Sequence, residues 1–372
     1  MIEADVAGVD DAVTAAATGL PGSSLQPPPE SLSDARWSAL VTELTAERLT
    51  GLLVAAVDAG RWPATDDQRD ALLDVHLNVL GSSLLLERTL LHVVGELAAA
   101  SIDVRVLKGV AVAQLDYPDP GPRAFGDIDL LVRADDAERL EAVLTQLGGR
   151  RNQPAARPGF DRRFGKSFTY VLPDGFEVDV HRTFVMGPYG LTVEIDDLWQ
   201  RSQTFGLGDQ TLATVSPEVR LMHAAYGAVL SSWPPRLRPR RDLAEMALHG
   251  SHDPDRVIAM AQSWRAEAVL ATAIRETWQA FDLADVTALT AWAGRYPFTD
   301  HDRRLLALYR RPDPPYSALA LSSLSALPRM RDRAAFVTAL ALPSREFLDR
   351  RGASLPRYLW RGTRRALRRS PS

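Results

Sequence analysis

Cysteine is absent from the 372 residues, which excludes disulfides, thiolate nucleophiles and cysteine-ligated zinc. Lysine is nearly absent. Lys108 and Lys166 are the two lysines among 43 basic residues, and the rest are arginine. A coding bias toward arginine explains the depletion, but arginine replaces a compact ammonium poorly where a point charge is needed. Both surviving lysines fall in one third of the chain. No secretory leader is expected either: the opening MIEADVAGVDDAV is acidic and has neither a basic nor an apolar stretch. No window reaches about 18 uninterrupted apolar residues, so no transmembrane segment is expected. The formal net charge of −4 argues against an overall basic surface for gripping nucleic acid. With 46% hydrophobic and 24% charged residues the composition is that of a soluble globular protein, and the cytoplasm is the expected compartment.

What is present divides the chain. Residues 1–34 end in a Pro/Ser-rich run without periodicity and read as a disordered N-terminal arm. Residues 35–100 carry helical spacing: Trp37, Leu40, Val41 and Leu44 mark a pattern from Ala35 to Gly60, and a second runs from Asp66 to Ala100 with a break expected near Gly81. Residues 101–205 change texture. Val104–Leu107 reads as a strand, Val110–Leu115 as a short helix, Ile128–Val132 as a strand and Asp135–Leu147 as an amphipathic helix ending at two glycines. Ser167–Leu172 and Phe176–His181 read as two strands joined by the turn Pro173-Asp174-Gly175. Residues 206–355 are read as helical, with Ser216-Pro217-Glu218 as a well-formed helix start. Residues 356–372 form a basic tail, whose arginines interleave with Leu359, Trp360 and Leu367 and suit weak contact with an anionic surface. The fold class expected is α+β, a small mixed sheet flanked by N-terminal helices and a C-terminal helical region.

The chemistry concentrates in the middle third. Asp127 and Asp129 stand one residue apart where a buried strand begins. Alternation puts both on one face, about 6–7 Å apart. Two carboxylates so placed repel each other unless a cation lies between them, the usual geometry for one or two Mg²⁺ ions; a solvated strand end would carry the same pair. In Phe176–His181 the residues Glu177, Asp179 and His181 share a face opposite Phe176, Val178 and Val180. That pattern suits a strand lining a metal cleft, and equally an edge strand with a polar outer side. Leu107-Lys108-Gly109 is a strand-to-helix turn whose backbone N–H groups can face a phosphate, with Lys108 adding a charge. Gly165-Lys166-Ser167 is not a phosphate-binding P-loop, because Gly159 stands one residue too far upstream and a strand follows. The remaining histidines are scattered, and His223 within Leu221-Met222-His223-Ala224 reads as a packing residue. No Gly-x-Ser-x-Gly elbow is present.

Taken in order, LKG, R-x-x-GDIDLLV, a helix ending in LGG, and EVDVH resemble the minimal nucleotidyltransferases of the polymerase-β-like superfamily. The chain is most similar there to the bacterial uncharacterised nucleotidyltransferases related to abortive-infection toxins. The resemblance implies a metal site of Asp127, Asp129 and Asp179, which would also be the catalytic residues. It implies nucleotide or phosphate contacts from Lys108, Gly109, Arg123, Gly126 and His181. Val110 follows Gly109 where the superfamily usually has serine or glycine. The cofactor implied is Mg²⁺ or Mn²⁺. The donor implied is a nucleoside triphosphate such as ATP, and the acceptor is an unidentified hydroxyl on a small molecule, glycan, protein or RNA. Two alternatives stay open: a degenerate nucleotide-binding scaffold, and a sugar-nucleotide glycosyltransferase using Asp-x-Asp.

Overall fold

Helices and one seven-stranded mixed sheet make up the computed structural model, which describes residues 10–284, 286–311 and 316–360. The strands are β1 (Val104–Leu107), β2 (Ile128–Val132), β3 (Arg150–Arg151), β4 (Ser167–Val171), β5 (Glu177–His181), β6 (Gln203–Leu207) and β7 (Gln210–Thr214). Their order across the sheet is β3-β4-β5-β2-β1-β7-β6. The fold class is α+β, as expected.

β2 sits at the centre because all its residues are buried. A near-continuous apolar run is what a strand covered on both faces requires. Ile128, Leu130 and Val132 pack with Leu86, Leu90, Val93 and Leu97 of the helix Asp66–Ala99, and with Leu140 and Leu144 of the helix Ala137–Gln146. Leu131 faces the other way, into a second core with Leu107 and with residues of the helices Pro217–Leu230, Leu237–His249 and Glu267–Ala280. β1 and β2 are antiparallel, β2 and β5 parallel, and β4 and β5 form the expected hairpin, with Gly175 at φ +87 in its turn.

Several boundaries differ from those expected, each for a local reason. The Ala35–Gly60 pattern is two helices, Asp34–Glu47 and Thr50–Asp58, divided where Arg48 turns left-handed at φ 58. Asp66–Ala99 runs unbroken through Gly81, started by a capping box between Thr65 and Gln68. Continuous, this helix is long and apolar enough by length and composition to cross a membrane, and it buries Leu86, Leu90, Val93 and Leu97 against the sheet. The sheet does not end at residue 205, since β6 and β7 form a hairpin and β7 pairs in parallel with β1. Residues 10–34 are not a loose arm. The helix Asp11–Ala16 is capped by Asp10, Ala15 and Leu20 are buried beside Phe281, and Ser23 bridges to Leu283. That docking uses partners about 260 residues away, which local composition does not reveal. Residues 1–9 of the arm and 361–372 of the basic tail lie outside the described residues.

Two buried ion pairs fasten the sheet unit to the C-terminal helices. Arg123 places Nε and Nη2 each 2.7 Å from the carboxylate oxygens of Asp242, and the Tyr117 hydroxyl donates to the same carboxylate at 2.9 Å. Arg220 holds Asp116 in the same two-pronged way, at 2.8 and 2.9 Å. Burial raises the pKa of Asp242, and the charge and hydrogen bonds of Arg123 more than offset it, leaving the carboxyl below its ordinary value. Stability from this depressed carboxyl is complete above the unfolded pKa of about 3.9 and is lost as pH falls through the folded value. Arg123→Ala leaves Asp242 buried and unpaired, and urea unfolding at pH 7 is expected to show a loss of about 3–5 kcal/mol. An unchanged midpoint would disprove the stapling role.

Candidate active site

The parallel pairing of β2 with β5 sets Asp129 beside Asp179, and the antiparallel pairing of β4 with β5 sets Thr169 on the other side of Asp179. One register thus assembles a carboxylate pair and a hydroxyl. Asp129 is 3% exposed, a costly place for a charge. Its Oδ1 receives Lys108 Nζ at 3.2 Å and lies 2.6 Å from His181 Nε2. Its Oδ2 is buried with no hydrogen-bond partner. Burial pushes the carboxyl's pKa up. The Lys108 charge and the hydrogen bond and charge of His181 pull it further down, with a smaller contribution from His223, so it ends well below the usual carboxylate range.

Asp179 is more open, and the Thr169 hydroxyl donates to it. His181 is fully buried, with Nε2 4.0 Å from Asp179 Oδ2 and Nδ1 3.0 Å from the Thr183 carbonyl. That carbonyl fixes the ring with Nε2 directed at both carboxylates. This is the orientation in which a backbone carbonyl holds a metal-ligating imidazole. Asp129, Asp179 and His181 each offer one ligand atom, all within 4.8 Å of one another. An orphaned carboxylate oxygen, a second carboxylate and an imidazole nitrogen, brought this close together, fit a divalent cation.

This set departs from the expected one. His181, expected at the nucleotide, joins the ligand group, while Asp127 lies outside it. Asp127 precedes the first β2 residue and stands half-buried at the end of the sheet. Its charge acts instead on Lys166 and Arg238. Arg123 does not reach the carboxylates, because its guanidinium is committed to Asp242. At Gly126 a Cβ would fall 1.0 Å from Arg48 Nη1, so the Arg48 guanidinium lies directly across this glycine and would have to move aside for any side chain there. Gly109 keeps its expected place at the turn after β1, with φ +34, and Lys108 before it has φ 39. Positive φ at a non-glycine residue such as Lys108 is uncommon and concentrates at functional sites.

Three residues stand at the site that were not among the expected site residues, although Lys166 and His223 had drawn notice in the sequence. Lys166 is half-buried where the charges of Asp129, Asp179 and Asp127 act on it; its pKa is lowered first by burial and then by Lys108. Both lysines of the chain therefore meet here, which their rarity hinted at. Thr169 had no local signal, since only strand register brings it to Asp179. His223 does pack, stacked on Phe184 with ring centroids 4.1 Å apart, but it also stands 6.2 Å from the His181 ring. Burial keeps it neutral, followed by the charges of Lys108 and His181, and its Nε2 has no partner.

Two solved structures are similar in part. The antibiotic-resistance factor ANT(2'')-Ia, known from a solution structure, is 13% identical with a TM-score of 0.37, over 52% of this chain and 98% of that one. An antigenic nucleotidyltransferase-like protein from Paracoccidioides brasiliensis is 17% identical with a TM-score of 0.33, over 57% of this chain and 96% of its own. No curated protein matches. A family model described as uncharacterised nucleotidyltransferase matches residues 33–281. That span takes in the N-terminal helices, the whole sheet with its carboxylates and the helices stapled to it, and the chain belongs to this nucleotidyltransferase family.

Proposed function

We propose that this protein transfers a nucleoside monophosphate from a nucleoside triphosphate to a hydroxyl acceptor, at the carboxylates that the paired strands β2 and β5 set side by side. The observation that carries this reading is Asp129, a buried carboxylate with one oxygen unpartnered and Asp179 and His181 alongside. Asp129, Asp179 and His181 would hold Mg²⁺ or Mn²⁺, with Asp127 at the mouth. Bound there, the cation supplies charge neutralisation at the phosphates and a lowered pKa for the attacking hydroxyl.

The chain's own residues supply the rest. Lys108 and Lys166 bring two ammonium groups against three carboxylates, and their charge offsets that of the triphosphate as negative charge builds on the leaving group. Asp179 is the most accessible base among the three ligands, and it takes the acceptor proton. The acceptor oxygen forms its bond to the α-phosphorus as the bond to the β-phosphate oxygen breaks, and pyrophosphate leaves in line. His181, fixed by the Thr183 carbonyl, keeps Asp129 oriented. The acceptor is a small molecule, glycan, protein or RNA hydroxyl, and the cytoplasm is the proposed compartment of the reaction.

Asp129→Asn and Asp179→Asn are each expected to cut pyrophosphate release by at least about 100-fold, with the circular dichroism spectrum unchanged. Cell extract incubated with the protein, Mg²⁺ and labelled triphosphates presents the whole range of cellular hydroxyls at once, and mass spectrometry identifies whichever one is labelled. Mn²⁺ binding followed by electron paramagnetic resonance gives a readout apart from turnover, and full Mn²⁺ affinity in both variants would sink the metal assignment. Lys166→Met, which keeps the stem and removes the charge, is expected to weaken triphosphate binding about tenfold or more, with a smaller salt dependence. Unaltered affinity at low salt would remove Lys166 from the phosphate site.

A further inference from the structure

The helix Asp66–Ala99 has a second apolar face. Its first, formed by Leu86, Leu90, Val93 and Leu97, lies on the sheet. On the solvent side Leu73, Leu77 and Leu84 are 42%, 53% and 56% exposed, with Leu85 beside them at 54% and Leu80 half-buried. Leu73, Leu77, Leu80 and Leu84 are separated by four, three and four residues. At about 100° per residue they form one stripe along the helix. This alternation of threes and fours is the seam of a two-helix coiled coil, in which each leucine enters a hole on the facing helix. An amphipathic surface helix needs one such face, and this one has two.

The seam is bounded. At its far end Glu87 takes the next position, and Leu91 beyond it is covered by the β6–β7 turn, where the Cβ position of Gly208 lies 3.6 Å from Leu91 Cδ1. The open length is about 17 Å at 1.5 Å per residue. Asp70 lies one turn before Leu73 and Arg88 one turn after Leu84, on the same flank. Both are exposed, and neither is ion-paired among the described residues. Parallel pairing of two copies would put the two Asp70 side chains at one level and the two Arg88 side chains at another, like charges at each end. Antiparallel pairing sets opposite charges together at both ends.

We propose that this seam pairs with the same helix of a second copy of the chain, antiparallel, about a two-fold axis between Asn78 and Val79. Leu73 then meets Leu84 of the partner subunit and Leu77 meets Leu80 of the partner subunit, so four leucines from each copy close one layer stack. Arg88 comes within one residue of the level of Asp70 of the partner subunit. The charge complementarity of these ends favours a protein helix over a lipid surface, because a bilayer penalises Asp70, Asp74 and Arg88 along the rim of the stripe, whereas a helix pair uses them.

Sedimentation equilibrium of the full chain tests this. Wild type is expected to dimerise, and Leu77→Lys and Leu84→Lys are each expected to raise the dimer dissociation constant more than tenfold, with unchanged circular dichroism and melting temperature. Arg88→Glu is expected to weaken the dimer, and adding Asp70→Arg to restore it. Wild type that stays monomeric at about 100 μM, or leucine variants that dimerise as wild type does, would overturn the proposal. So would a monomer that partitions onto phosphatidylcholine–phosphatidylglycerol vesicles through the same leucines. A charge swap that fails to restore pairing would overturn the antiparallel arrangement.

Discussion

One buried carboxylate governs the centre of the molecule. Asp129 lies in a strand covered on both faces, and a charge in that position is tolerated only with compensation. Lys108 from the end of β1 and His181 from the end of β5 provide it, each reaching the same oxygen. The antiparallel pairing of β1 with β2 and the parallel pairing of β2 with β5 are what bring those two groups there. A shift of one residue in either register would turn Asp129 toward the apolar layer of Leu86, Leu90 and Leu140. Electrostatics and strand pairing thus specify one another, and the unpartnered second oxygen of Asp129 is the acceptor on which the nucleotidyltransferase reading turns.

The surroundings of that carboxylate are held by polar ties as well as apolar cores. The loop between the helix Gly109–Asp116 and β2 carries Tyr117 and Arg123 into the C-terminal helices, where Asp242 takes both. Arg220 reciprocates by binding Asp116 from the helical side. On the opposite flank, Gly51 comes so close to Pro122 that a Cβ would fall 2.5 Å from its Cα, and the Ser83 hydroxyl donates to the Phe125 carbonyl at 3.2 Å. The short stretch leading into the site is thereby clasped from two sides by helices distant in sequence.

How much of this was legible follows from range of interaction. The strand and helix order from Val104 to His181 was readable because alternation, the glycine-bearing turns and buried apolar runs are local signals. The carboxylates of Asp129 and Asp179 were readable for the same reason: each breaks the apolar pattern of its strand. The β6–β7 hairpin was missed although Phe205, Leu207 and Leu212 alternate about Gly208-Asp209, because half its residues face solvent and the apolar signal is diluted. The docking of residues 10–34, the commitment of Arg123 to Asp242 and the placement of Thr169 and Lys166 depend on contacts between remote segments, and local spacing carries no record of them. Arg123 illustrates the limit best, since a motif position and a structural counter-ion look identical in one dimension.

The turn at Lys108 and Gly109 has a further consequence. Both residues hold positive φ, at a cost on the order of 1–3 kcal/mol for the non-glycine one, and the surrounding sheet and helix bear that cost when the chain folds. Conformational freedom that an ordinary loop would surrender on meeting a ligand has therefore been surrendered already. The ammonium of Lys108 arrives aimed, and an anion that meets it contributes its attraction without first ordering the backbone.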